Sequence, residues 1–113
     1  MKNEKLVLVE FPSEEDLNKL LIENNDLFKY GFYKEGEKNY DNTKVSYNEF
    51  AKCVNWLVDN INYKFRKNLD SYALKHMVEN TNTGYIPSGC LIAAAIYLKA
   101  KVKRNERNAI ISF

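Results

Sequence analysis

The sequence predicts an α+β chain, and three observations predict it. Residues 71–113 run in the order helix, tight turn, apolar helix and basic hairpin. Phe50, Cys53, Val54, Leu57, Val58, Ile61 and Phe65 recur at helical intervals and form one apolar stripe. Phe28, Tyr30 and Phe32 alternate with Lys29, Gly31 and Tyr33, the period of a strand with one face on a core. Together these give a small N-terminal strand-helix-strand unit over residues 1–36. A three-helix, winged helix-turn-helix-like unit ending in a β-hairpin follows over residues 46–113. No internal repeat, low-complexity stretch or Gly/Pro-rich linker divides the 113 residues, so one domain is expected.

In chain order, Lys5–Phe11 is short, rich in Val and Leu and closed by Pro12, which reads as a largely buried strand. Ser13 and Asp16 have the spacing of a capping box, and Glu14, Glu15 and Asp16 put negative charge where a helix dipole favours it. Leu17, Leu20 and Leu21 supply the buried side of that helix, which should end near Asn24-Asn25. A strand over 28–33 and a turn at Glu35-Gly36 complete the unit, and a parallel pairing of its two strands would demand a right-handed crossover. Residues 37–43 are a polar connection.

Ser46 and Glu49 repeat the capping-box pattern and open the core helix. Trp56 and Tyr63 fall on the side of that helix opposite the apolar stripe. Either the N-terminal unit covers them, or they anchor a partner or homodimer interface, where tryptophan and tyrosine are enriched. The next helix, Ser71–Glu79, stops at a polar run in which Gly84 can take positive φ. Pro87 holds Ile86 extended, and Ser88 is placed to cap the apolar helix from Cys90 to Leu98. Two short strands around the polar turn 105–108 close the chain.

Ser71-Tyr72-Ala73-Leu74-Lys75-His76, then Gly84-Tyr85-Ile86-Pro87-Ser88-Gly89, then Ile92-Ala93-Ala94-Ala95 and the closing Asn108-Ala109-Ile110-Ile111-Ser112 form a recognisable set. In it the chain resembles small uncharacterised proteins of phages, prophages and mobile elements. The resemblance covers about the last third of the chain. Ala100-Lys101 stands where those proteins usually have a Gly-aromatic pair, and Arg107 where a proline often precedes the Asn. The resemblance implies a mobile-element origin and a bacterial host, and carries no activity.

Charge is distributed unevenly. Residues 1–50 hold seven lysines against eleven carboxylates, a net −4, and residues 51–113 hold ten cations against four carboxylates, a net +6. The basic half points to a polyanionic or acidic partner. For double-stranded DNA the candidate contacts are Lys75, His76, Lys99, Lys101, Lys103, Arg104 and Arg107. The apolar helix has almost no polar face with which to read base edges, so it is expected in the core. The competing expectation is a phage-type counter-defence protein, anti-CRISPR-like, that inhibits a host protein or nucleoprotein complex by binding it, with Trp56 and Tyr63 as anchors. For the cations the plain alternative is a hairpin edge kept soluble by lysines.

Enzyme chemistry has little support. His76 is the only histidine, and Glu79 lies at the right spacing to bond it along the helix. A Cys90–His76 pair is the single catalytic combination on offer, and the neighbours of Cys90 suit packing equally well. Two distant cysteines and one histidine do not make a tetrahedral metal set, and no phosphate-binding glycine loop is present. No cofactor or metal is therefore expected. Without a membrane-length apolar run or a signal-peptide core, the expected location is the cytoplasm, where Cys53 and Cys90 stay reduced.

Overall fold

The computed structural model describes residues 12–32, 44–61 and 68–113. The expected strand at 5–11 and the turn at 35–36 lie outside them, as does Tyr63. Helix α1 (Glu14–Glu23) opens on the capping box that its sequence encodes: Ser13 Oγ accepts the Asp16 N–H at 3.1 Å, and the Asp16 carboxylate accepts the Ser13 N–H at 3.0 Å. Leu17 and Leu20 are its buried residues. Asn24 ends it by donating both its backbone and side-chain N–H groups to Leu20 O.

The single strand expected over 28–33 is instead a tight hairpin of β1 (Leu27–Phe28) and β2 (Gly31–Phe32), with Leu27 opposite Phe32 and Phe28 opposite Gly31. Phe28 and Phe32 are buried while Tyr30, at the reversal, is 46% exposed. The period of two failed because Gly31, at φ +123°, lets the chain fold back where a strand would continue. The N-terminal part described is thus a helix followed by a hairpin.

Helix α2 (Tyr47–Ile61) begins directly after Ser46, whose carbonyl accepts the Phe50 N–H at 2.9 Å. Its stripe is the core: Phe50, Cys53, Val54 and Leu57 are almost wholly buried, and Val58 packs against them. The Tyr47 hydroxyl donates to Pro12 O, tying the start of α2 to the chain just before α1.

Strand β3 (Leu69–Asp70) was not expected. It leads into α3 (Ser71–Val78), which Asp70 caps by accepting the Tyr72 N–H at 3.1 Å. The helix passes into a π-helical turn over Glu79–Thr83, and Gly84 then takes φ +83° as its residue type suggests. Helix α4 (Ser88–Tyr97) follows, then β4 (Lys101–Asn105) and β5 (Asn108–Ser112). The three strands form one antiparallel sheet in the order β3-β5-β4, so the closing hairpin is stitched to the start of α3 rather than projecting alone. The C-terminal part is thus a three-helix unit, with one short strand between its first two helices, that ends in a β-hairpin.

Ser88 does not cap α4. The cap position belongs to Pro87, no side chain caps the helix, and Ser88 is its first, buried residue. Every residue from Ser88 to Ala95 is buried, as a helix apolar on all sides requires. Helix α2 lies along α4, and α1, α3, the β1–β2 hairpin and the β4–β5 strands cover its other sides.

Candidate functional site

The register of β4 against β5 sorts the hairpin's residues onto two faces. Val102 and Arg104 stand opposite Ile111 and Ala109, both fully buried, and so belong to the inner face. Lys101, Lys103 and Asn105 stand opposite Ser112, Ile110 and Asn108 and form the outer face, with all three β4 residues exposed. Asp70, opposite Ile110 on the far side of β5, completes that row and is already engaged as the cap of α3. The outer sheet face therefore carries two exposed lysines among amides, a serine, one isoleucine and the exposed Asp70 carboxylate.

The other expected cations divide. Lys99 is exposed at φ +67° in the turn after α4 and lines an open groove of about 470 Å³ with Asp16, Lys19, Glu23 and the apolar Leu20, Ile96 and Leu98. Arg104 reaches back over the N-terminal unit: its Nη1 meets the Asp26 carboxylate at 2.6 Å, and its guanidinium lies 5.1 Å from the centre of the Phe32 ring. Arg107 lies over the Phe28 ring at 5.8 Å, and its carbonyl accepts the Phe32 N–H at 2.8 Å. Lys75 is only 7% exposed, held between the Tyr72 and Tyr85 rings at 5.4 and 5.0 Å and paired with Glu79 at 3.0 Å. His76 is half exposed, 3.2 Å from Glu79 and edge-on to Tyr72. The structure thus groups Lys101 and Lys103, sets Arg104 and Arg107 against the β1–β2 hairpin, and puts Lys75 and His76 in a separate cluster.

Glu79 is the hub of that cluster. One carboxylate oxygen accepts from Lys75 Nζ and from the Ile86 backbone N–H at 2.8 Å, and the other faces His76 Nδ1. The Ile86 hydrogen bond, reinforced by Lys75 and then His76, holds the carboxyl below the usual glutamate range against the opposing effect of desolvation. Tyr72 and Tyr85, whose rings flank Lys75, remain about half exposed beside it, at 49 and 61%.

The N-terminus of α4 is sealed by the β1–β2 hairpin. Gly89 donates its N–H to Lys29 O at 2.8 Å, and a methyl group at Gly89 would overlap the Phe28 carbonyl oxygen. A methyl at Gly31 would likewise overlap the Arg107 carbonyl. The residues that sequence reasoning missed here are Asp26, Lys29 and these two glycines. A glycine in the first turn of an otherwise apolar helix is the one signal that could have announced a close backbone approach.

Trp56 is half-buried against the core, and its indole Nε1 is buried without a hydrogen-bond partner among the described residues. Cys53 and Cys90 are both free and fully buried. Burial pushes the Cys90 thiol up to about 12 and raises that of Cys53 further, so neither is a poised nucleophile. Among the described residues there is no cluster of side chains suited to hold a metal ion, and no helix is long and apolar enough to cross a membrane. No protein-family profile, curated protein or solved structure matches this chain.

Proposed function

We propose that this chain is a non-enzymatic accessory or regulatory protein of a phage or mobile element that binds double-stranded nucleic acid through the outer face of its C-terminal sheet. The observation that carries this is the pairing of Lys101 and Lys103 on one exposed strand face, neither in an ion pair among the described residues. Lysines so placed meet phosphates at little desolvation cost, and their counterion release makes the contact salt-dependent. Lys99 stands apart from the row, in the turn before β4 and beside the groove that Asp16 and Glu23 line. An electrophoretic shift assay across a salt series tests it, comparing the wild type with Lys101→Glu/Lys103→Glu. Binding by the wild type that weakens with salt and vanishes in the double variant is expected; no binding by the wild type at low salt removes the proposal.

A second function, inhibition of a host complex by protein–protein contact, is favoured by the half-exposed Tyr72 and Tyr85 around Lys75. Aromatic anchors of this kind dominate protein interfaces. A host protein retained after nuclease treatment, and lost with Tyr72→Ala/Tyr85→Ala, would support it over nucleic-acid binding. A homodimer through Trp56 is checked by sizing chromatography of Trp56→Ala, where an unchanged oligomeric state removes it.

A further inference from the structure

We infer that the β1–β2 hairpin is a fixed, built-in occupant of the surface with which a winged unit would enter a nucleic-acid groove, so that the partner is duplex of any sequence, met through its phosphates alone. This deepens the proposed function and rests on it. In a helix-turn-helix, bases are read by the first residues of the second helix of the pair, lying in the major groove. Here those residues, Ser88, Gly89 and Cys90, are buried. The Lys29 carbonyl occupies the Gly89 N–H, and Phe28 and Lys29 lie so close to the Gly89 backbone that not even a methyl fits between.

The tip of the wing is closed by the same hairpin. Phe32 donates its N–H to Arg107 O, Asp26 holds the Arg104 guanidinium, and the Phe28 and Phe32 rings lie under the two arginines. A free helix-start N–H and an arginine guanidinium are the two kinds of donor that a phosphate oxygen would take up there, and here the Lys29 carbonyl and the Asp26 carboxylate take them instead. Both places are filled from within the chain. The occupant does not hang loosely, because Leu27, Phe28 and Phe32 are each only 6% exposed and Leu27 and Phe32 belong to the main core. What is left for a partner is the outer sheet face, where the ammonium groups of Lys101 and Lys103 stand beside Asn105 and Asn108 on a short strand pair rather than on a helix that enters a groove.

Two measurements on the full chain test this. In the first, affinities for several 20-base-pair duplexes of unrelated sequence are measured by fluorescence anisotropy over a salt series. The expected result is affinities equal within about threefold and a log–log salt slope of about −1.8, two phosphates' worth from Lys101 and Lys103. Asp26→Asn, which frees Arg104, should steepen the slope by at most about 0.9. A preference of about 100-fold or more for one sequence, or a slope steepened by about 2 or more in Asp26→Asn, would overturn the inference.

The second measurement is amide hydrogen exchange without nucleic acid. The Gly89 and Phe32 amides should exchange as slowly as those in the middle of α2, whereas exchange about 100-fold faster would make the hairpin a movable gate and overturn its role as a fixed occupant. Failure to bind any duplex at low salt would overturn the proposed function and the choice of partner with it. The exchange result would still decide the hairpin's role by itself.

Discussion

The backbone N–H of Gly89 points at the carbonyl oxygen of Lys29 across 2.8 Å, and this contact joins the N-terminal hairpin to the C-terminal three-helix unit. It supplies a helix-start hydrogen bond where no side chain caps α4, and it puts backbone against backbone at the first turn of that helix. With that closure, the exposed chemistry left on the C-terminal unit includes the Lys101 and Lys103 face of the sheet and the tyrosines Tyr72 and Tyr85.

Gly89→Ala should destabilise the fold. The added methyl overlaps the Phe28 carbonyl oxygen and must push the hairpin away from α4, straining the Lys29–Gly89 hydrogen bond. Overpacking of this kind costs about 1–3 kcal/mol. Urea unfolding should show a lower midpoint with an unchanged slope; a midpoint equal to wild type would mean that the hairpin yields freely.

Ser71→Ala should cost as much without any steric change. Ser71 is fully buried, and its Oγ accepts the Ala109 N–H at 3.0 Å, bonding the first turn of α3 to β5. Removing the oxygen leaves a buried donor unpaired, at about 1–3 kcal/mol. Thermal unfolding measures this, and a shift indistinguishable from zero would show that the Ala109 amide finds water instead.

Glu79→Gln should flatten part of the acid limb of the stability profile. The folded-state pKa of Glu79 lies below its ordinary value, so its ionised form contributes stability above the unfolded-state pKa. That contribution is lost as pH falls through the folded-state value. Wild type should therefore lose stability faster than Glu79→Gln as pH drops below about 4.3, the ordinary glutamate pKa. Parallel profiles in denaturant melts from neutral pH downwards would refute it.

Lys101→Glu/Lys103→Glu should leave stability within about 0.5 kcal/mol of wild type, since both side chains are exposed and unpaired among the described residues. Arg104→Ala removes an ion pair whose two side chains are 39 and 44% exposed, and should cost about 0.2–1 kcal/mol together with its packing over Phe32. Urea melts of the two variants side by side check both. A large loss in the lysine variant would mean that these residues hold the fold and that its binding result cannot be read as a contact.

Local chemistry was enough to place much of this molecule. Ser13 with Asp16, the stripe from Phe50 to Leu57, Gly84 after α3 and the closing hairpin each depend on residues within a few positions of one another, and each stands where its spacing put it. The burial of α4 was legible too, because a helix without a polar face has nowhere to lie but inside. Phe28–Tyr33 misled for the opposite reason. Alternation over six residues describes a strand or two hairpin arms equally well, and the choice was made by where Gly31 and Gly89 allow backbones to touch.

The candidate site divides along the same line. Which residues carry charge, and that the C-terminal half carries most of the positive charge, is written in the chain itself. Which of those charges stay free was decided only when distant segments met: Asp26 lies 78 positions from Arg104, and β4 and β5 had to pair before Lys101 and Lys103 faced outward together. Charge is a property of a residue, but its availability depends on what packs against it, and that partner is chosen by the burial of Leu27, Phe28 and Phe32 rather than by anything near the charge in sequence.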